Sequence, residues 1–141
     1  AGTARRDPAL GPLRIMASCV CAVGEGPDVN AARAAARREI AFYVGSMGSR
    51  DRNYYRDAVA AMGFPTECAA VQDAALAGRR RDAEEQVTDA MVDALALVGD
   101  PAHVERRVRE LADAGVSTIC LSAATPDPVA ALTHLRTIVG S

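Results

Sequence analysis

The last third of the chain alternates short apolar runs with amphipathic segments. An apolar run at 95–98 predicts a short strand, and apolar residues at helical spacing predict a helix over 101–114 with Asp100 as its N-cap. A second apolar run, 116–122, predicts a buried strand, and the pattern over 128–139 predicts a further helix. Strands that alternate with helices in this way are typical of a parallel sheet covered by helices, as in barrels and doubly wound folds.

The preceding part of the chain predicts one long strand followed by helices. A near-continuous apolar run at 13–23 ends in a glycine-rich turn and predicts the strand. Asp28 then caps a helix that the glycines at 45–49 are expected to break. The other elements predicted here are helices at 51–62 and 66–77, a charged helical turn near 79–85, and a brief helix capped by Thr88.

The two best strands, 13–23 and 116–122, are apolar on both faces. This pattern predicts that they are parallel neighbours, because strands joined through helices within one sheet run in the same direction. The apolar stripes of the helices and strands together predict the core. The side chains that we expect to be largely buried are Ile40, Val104, Val108, Leu111, Ile119, Leu121, Leu132 and Leu135.

Composition narrows the functional classes. The chain has 141 residues and is treated as a single segment, 1–141. Its formal net charge is −2. Such a balance gives no long-range field that would recruit nucleic acid or an anionic membrane. No apolar run approaches the length of a transmembrane helix. The four cysteines form no CxxC pair and lie in apolar sequence, which is typical of a reduced cytoplasmic protein.

Three segments, spread in order through residues 13–139, carry a family resemblance. They are "IMASCVCAVGEGPDVNAARAAARREIAFYVGSMG", then "NYYRDAVAAMGF" with "VQDAALAGRRRDA", and "VTDAMVDALALVGDPAHVERRVRELADAGVSTICLS". Together they resemble the carboxyl-terminal part of luciferase-like monooxygenases, specifically the coenzyme F-420-dependent oxidoreductases. The resemblance implies an α/β fold: the carboxyl-terminal portion of a (β/α)8 TIM barrel with an extra helical excursion. A barrel of this family needs about 250 residues or more, so the chain is incomplete on its own.

The resemblance implies a function for the whole protein, with alternatives. The first is part of an oxidoreductase that transfers hydride between coenzyme F-420 and a small organic substrate, with the isolated chain inactive. An FMN-dependent monooxygenase of the same superfamily is the second. The third is a non-catalytic truncated barrel that acts as a binding or association module. The remainder of the barrel or a second copy of the chain is the expected protein partner.

Chain direction indicates where a cofactor cleft would lie. Loops that follow parallel strands build the active face of barrels, so Gly24, Glu25, Ser122 and Thr125 are expected to border a cofactor or substrate cleft. No catalytic residue is assigned, because hydride chemistry on a cofactor needs no protein nucleophile. The helix starts near Asp100 and Asp127 could attract a phosphate, but both residues are better explained as caps.

The remaining polar candidates have simpler structural explanations. Cys19 and Cys21 share one face of a strand and have no further ligands at metal-binding spacing, so no metal site is predicted. His103 and His134 are expected to be surface or capping residues. The chain has no GxGxxG, P-loop, GxSxG or HExxH motif.

Overall fold

The computed structural model describes residues 6–7, 9–123 and 127–139. Within these ranges the chain forms three strands and seven helices. Their bounds are β1 (Met16–Val23), α1 (Pro27–Ser46), α2 (Tyr54–Ala61), α3 (Pro65–Leu76), α4 (Arg80–Glu85), α5 (Asp89–Leu95), β2 (Leu97–Gly99), α6 (Pro101–Asp113), β3 (Thr118–Ala123) and α7 (Pro128–Val139). None of these helices is both long and apolar enough to cross a lipid bilayer.

The strands form one parallel sheet in the order β2-β1-β3. The register pairs Cys21 with Leu97 at one edge of β1 and Met16 with Thr118 at the other. The prediction that the two best strands are parallel neighbours is therefore confirmed. The α/β class is confirmed as well, since every crossover between strands contains at least one helix.

The strand order and the placement of the helices distinguish this sheet from a section of a closed barrel. A (β/α)8 barrel keeps its strands in chain order and its helices in an outer ring. In the described residues β3 pairs with β1 instead of β2, and helices pack on both faces. The described residues therefore form an open, three-stranded sheet between two helical layers.

The alternation of β1 side chains divides the core into two parts. Val20 and Ala22 point to the layer formed by α1–α5, whereas Cys19 and Cys21 point to the layer formed by α6 and α7. We refer to these as the α1–α5 face and the α6–α7 face. Residues 19–22 of the central strand can be apolar because both of its faces are covered there, whereas Met16 and Ser18 at its start are exposed.

The predicted core is confirmed at four positions: Ile40, Val104, Val108 and Leu135 are buried. Three others, Leu111, Ile119 and Leu121, are only half-buried. The prediction was wrong for Leu132, whose side chain is 48% exposed. The partial exposure follows from the open sheet, because β3 is an edge strand and α6 and α7 make few contacts with each other.

The prediction that residues 116–122 are buried on both faces was wrong. The strand begins at Thr118, and Cys120 and Ser122 are exposed. In the parallel register they stand beside Ser18 and Val20, so their side chains lie on the α1–α5 side. Helix α1 packs on β1 and β2, which leaves this side of β3 open to solvent. Cys120 accordingly does not share the apolar surroundings of Cys19, Cys21 and Cys68.

Helix α1 ends within the segment 45–49 that was predicted to break it, but Gly45 itself is still helical. A Cβ atom at position 45 would lie 2.5 Å from the Cβ atom of Ala75 in α3. Gly45 is therefore needed for the close crossing of α1 and α3, not for a turn. The helix ends one residue later, at Ser46.

Two boundaries and one cap also differ from the predictions. The first strand begins at Met16 instead of residue 13, and the strand predicted at 95–98 is β2 at Leu97–Gly99, because α5 continues through Leu95. Helix α1 has Gly26 as its N-cap, without a side-chain cap, so Asp28 lies in the first turn and is not the cap. Thr88, by contrast, caps α5 as predicted, accepting a hydrogen bond from the Met91 N–H.

Candidate functional site at the carboxyl edge of the sheet

The carboxyl ends of β1 and β2 are joined by a backbone hydrogen bond. The Gly24 N–H donates to the Gly99 carbonyl over 2.8 Å. Both glycines have positive φ angles, 123° and 147°, which side-chain-bearing residues rarely adopt. No atom lies within 4 Å of the position that a Cβ atom would take at Gly24, so this turn presents bare backbone to an open space. We call Gly24, Glu25, Gly99, Asp100 and His103 the rim.

The start of α6 is capped from within the rim. The Asp100 carboxylate accepts a hydrogen bond from the His103 N–H over 2.9 Å, which confirms its role as N-cap. This bond is the main reason that the pKa of Asp100 lies below its ordinary value, with a further contribution from the Ala102 N–H. Asp100 therefore stays ionised at neutral pH and places a negative charge where a phosphate would otherwise bind.

The His103 ring is half-buried against Gly99, so its predicted assignment as a surface or capping side chain is incomplete. A Cβ atom at Gly99 would lie 3.3 Å from the His103 Cδ2 atom, and the glycine therefore makes room for the ring. Arg106 Nη2 lies 2.9 Å from His103 Nδ1 and can only donate to it, which leaves the proton of a neutral ring on Nε2. Nε2 is buried and has no hydrogen-bond partner among the described residues. The ring thus holds an N–H donor for which no described residue supplies an acceptor.

The charges near the rim exclude some ligands. Glu25, Asp28 and Asp100 contribute carboxylates, and Arg106 contributes a cation beside His103. An anionic group would meet more repulsion than attraction here. The rim is chemically suited to a neutral polar group that can accept from a ring N–H or bond to exposed backbone.

The structure brings together only part of the predicted site. Gly24 and Glu25 lie on the rim, with Glu25 exposed. Ser122 stands opposite Val20 in the register, four residues before Gly24, and hence about 13 Å below the rim at ~3.3 Å per residue. Thr125 lies outside the described residues. Sequence reasoning missed the His103 ring because its burial depends on Gly99, and one positive-φ glycine gives no pattern that could be read in advance.

The two strand thiols of the α6–α7 face are not activated. Burial is the main cause that raises the pKa of Cys19, and it raises the pKa of Cys21 to about 11. Both thiols therefore remain protonated at neutral pH, whereas nucleophilic cysteines have depressed pKa values. They act as small apolar core residues.

Comparison with known proteins assigns the family. The sequence profile described as luciferase-like monooxygenase matches residues 1–118. The chain belongs to the luciferase-like monooxygenase family. Among curated relatives in this family, a protein from Mycobacterium tuberculosis, provisionally named a coenzyme F-420-dependent oxidoreductase, is 31% identical over 108 residues, or 77% of this chain. The chain spans about a third of that relative, since the aligned part is 31% of its length.

Proposed function

We propose that this chain is the carboxyl-terminal part of an oxidoreductase that transfers hydride between coenzyme F-420 and a small organic substrate. The observation that carries the proposal is the 31% identity to a relative whose name includes coenzyme F-420. The parallel sheet supports it, because it gathers Gly24, Gly99 and the unused His103 donor at its carboxyl edge, where α/β enzymes bind their ligands. Because the chain spans a third of that relative, activity is expected of the complete protein and not of this chain alone.

The rim fits one portion of such a cofactor and not another. Gly24 offers open backbone, and His103 Nε2 offers a buried donor, both suited to the neutral, polar edge of a planar ring. Asp100 and Glu25 would repel a phosphate-bearing tail. The tail is therefore expected to bind to residues outside this rim. When bound, the cofactor supplies the hydride chemistry, and the rim residues orient it and exclude water.

The proposed barrel requires a change of strand order. In chain order β3 would pair with β2, whereas here it occupies the edge of β1 that an earlier barrel strand would take. Spin labels on Cys120 and on a Ser18→Cys substitution test this, since both positions are exposed and directly paired in register. In the complete protein the two backbones are expected to lie about 5 Å farther apart, which is one additional strand spacing. An unchanged separation would contradict the barrel.

Cofactor titration of the complete protein tests the function. We expect it to bind coenzyme F-420 and to oxidise or reduce it in the presence of a substrate. His103→Phe keeps a ring but removes the donor. It is expected to weaken cofactor binding about 5-fold to 20-fold, which corresponds to the loss of one hydrogen bond. His134→Phe is the matched control, since His134 is exposed on α7. Glu25→Ala and Ser122→Ala distinguish the rim from the strand. We expect cofactor binding to change in Glu25→Ala and to stay unchanged in Ser122→Ala.

A second candidate, an FMN-dependent monooxygenase, is favoured by the description of the family as monooxygenases. Tight binding of FMN in place of coenzyme F-420 would establish this alternative, and binding of neither cofactor by the complete protein would contradict both. We also propose a cytoplasmic location, supported by the free cysteines among the described residues, which are typical of a reducing compartment.

A further inference from the structure

A cavity of about 510 Å³ lies at the opposite end of the sheet from the rim. It is lined by the amino-terminal half of β1, the second half of α1, and α2, and it is open to solvent on one side. Its size falls within the range of small-molecule sites. The cavity exists because β2 pairs only with Cys21–Val23, so the earlier residues of β1 have no described ladder partner on that edge. Its apolar lining includes Ile40, Val44, Val59 and Ala96, all of them buried.

Two tyrosine rings stand at this cavity. The rings of Tyr43 in α1 and Tyr55 in α2 have centroids 4.9 Å apart at an angle of 47°. Their side chains remain 37% and 41% exposed, so the rings are accessible to a ligand as well as to each other. Aromatic faces carry partial negative charge and attract cations, most strongly where water is excluded.

A carboxylate without an ion-pair partner lies on the same wall. Glu39 is half-buried, one helical turn before Tyr43, and forms no salt bridge with any described residue. Its field reaches the nearby Cys19: burial is the main cause that raises the pKa of this thiol, and Glu39 adds a raising contribution smaller than the lowering one from Arg107. Arg107 lowers that same pKa, but its guanidinium is already bound to Glu110 and to the Ala94 carbonyl.

We propose that this cavity binds a small organic cation: an ammonium group attached to an apolar body. The ammonium group would lie between the Glu39 carboxylate and the rings of Tyr43 and Tyr55, and the apolar body would contact Ile40 and Val59. Charge complementarity selects this class of ligand. An anion would be repelled by Glu39, and a neutral apolar molecule would leave the carboxylate desolvated and unpaired. The site is separate from the cofactor rim and does not depend on the proposed oxidoreductase function.

A matched pair of probes tests the charge requirement. 2-Phenylethylamine, cationic at neutral pH, and 2-phenylethanol have the same apolar body and differ in the charged group. Binding of each to the chain is measured by calorimetry and by NMR shift changes of residues around the cavity. We expect the cation to bind at least about tenfold more tightly than the alcohol, given a partly desolvated carboxylate and two aromatic rings. Equal affinities, or no binding of either probe, would overturn the proposal.

Substitutions at the cavity test which residues cause the preference for the cation over the alcohol. Glu39→Gln keeps the shape of the side chain and is expected to bring the ratio of the two affinities close to one. Tyr55→Leu is expected to weaken cation binding about 2-fold to 5-fold, which corresponds to a partly exposed cation–π contact. Glu85→Gln is the control, because Glu85 is an exposed glutamate outside the cavity lining, and it should change neither affinity.

Thermal unfolding of each variant shows whether the fold is retained. If Glu39→Gln does not fold, the probe ratio in the unaltered chain and the Tyr55→Leu result decide the question. A cation preference that persists unchanged in folded Glu39→Gln contradicts the proposed site. Salt should weaken the amine but not the alcohol, because only the amine binds through charge.

Discussion

On the α1–α5 face the helices enclose side chains that are almost fully removed from water, among them Val71, Met91 and Val92. On the α6–α7 face the buried set is smaller, and Leu111, Ile119 and Leu121 are only partly covered. Both faces belong to the same parallel sheet and use similar aliphatic residues. The difference is in the cover: α1 and α3 cross closely enough to need Gly45, whereas α6 and α7 leave a groove of about 440 Å³ over β3.

The two faces also differ in buried polar contacts. Between α1, α2 and α3, the buried side chains of Asn53 and Gln72 have hydrogen-bond partners on both their oxygen and nitrogen atoms. The α6–α7 face instead leaves the Arg107 Nε atom buried without a partner among the described residues. Fully satisfied polar groups fix one arrangement of packed helices. The α1–α5 face is therefore expected to be the more stable and more specifically packed part of the chain.

Truncating one apolar side chain on each face should give the largest and most unequal losses in the free energy of unfolding. Met91→Ala removes a side chain that is 0% exposed and should lower the free energy of unfolding by about 2–5 kcal/mol. Leu132→Ala on α7 removes a side chain of similar size that is 48% exposed, and should cost less than about 1 kcal/mol. Chemical denaturation of both variants measures the difference. Similar losses in the two variants would contradict the comparison.

The buried amide of Asn53 is the next most sensitive point. Its Nδ2 group donates to the Val44 carbonyl over 2.6 Å, and its Oδ1 atom accepts from the Arg56 N–H as the cap of α2. Asn53→Ala should cost about 1–3 kcal/mol, because it leaves a buried carbonyl unpaired and removes a cap. Asn30→Ala is the control, since Asn30 is exposed in α1, and it should change stability by less than about 0.5 kcal/mol.

These contacts mark where sequence reasoning succeeds and where it fails on the fold. The apolar runs predicted that β1 and β3 are parallel neighbours, and Thr88 and Asp100 were recognisable as caps, since these signals are local. The need for glycine at position 45 was not predictable, because it arises from close packing against Ala75, which is thirty residues away in the chain. Asn53 reads as an ordinary polar residue until α1 and α2 are placed together.

The site was predictable only as a position in the topology. Gly24 and Glu25 follow a strand and lie at the carboxyl edge, as the chain direction indicates. Ser122 was expected beside them, but the pairing of β3 with β1 places it about 13 Å lower along the sheet. Register between distant strands depends on long-range packing, which the local pattern does not encode. The cavity beside Tyr43 and Tyr55 was missed for the same reason, because these two residues meet only when two helices pack.

Leu111→Ala sharpens the comparison on the α6–α7 face. The apolar pattern alone predicts a fully buried residue with a cost of about 2–5 kcal/mol. Because Leu111 is half-buried, the structure lowers the expected loss to about 1–2 kcal/mol. Val108→Ala, at a buried position of the same helix, is the internal reference, and its cost should equal or exceed that of Leu111→Ala although fewer atoms are removed. A loss near that of Met91→Ala would mean that α6 packs as tightly as the α1–α5 face.

The smallest expected effect tests the charges that join α1 to α5. Arg33 and Arg37 contact the Asp89 carboxylate over 2.8 and 2.5 Å, and the hydrogen bond from Arg33 is the main cause that lowers the pKa of Asp89. A carboxylate whose pKa is lower in the folded chain stabilises it above the unfolded pKa near 4, and this contribution is lost as pH falls through the folded pKa. Asp89 is largely exposed, so Asp89→Asn should cost only about 0.2–1 kcal/mol at pH 7. Denaturation curves at pH 7 and pH 2.5 should show the difference between the two chains shrinking at the lower pH, and also at 1 M salt. A difference that stays constant under both conditions would assign the effect to the capping turn of α5 instead of to the ion pairs.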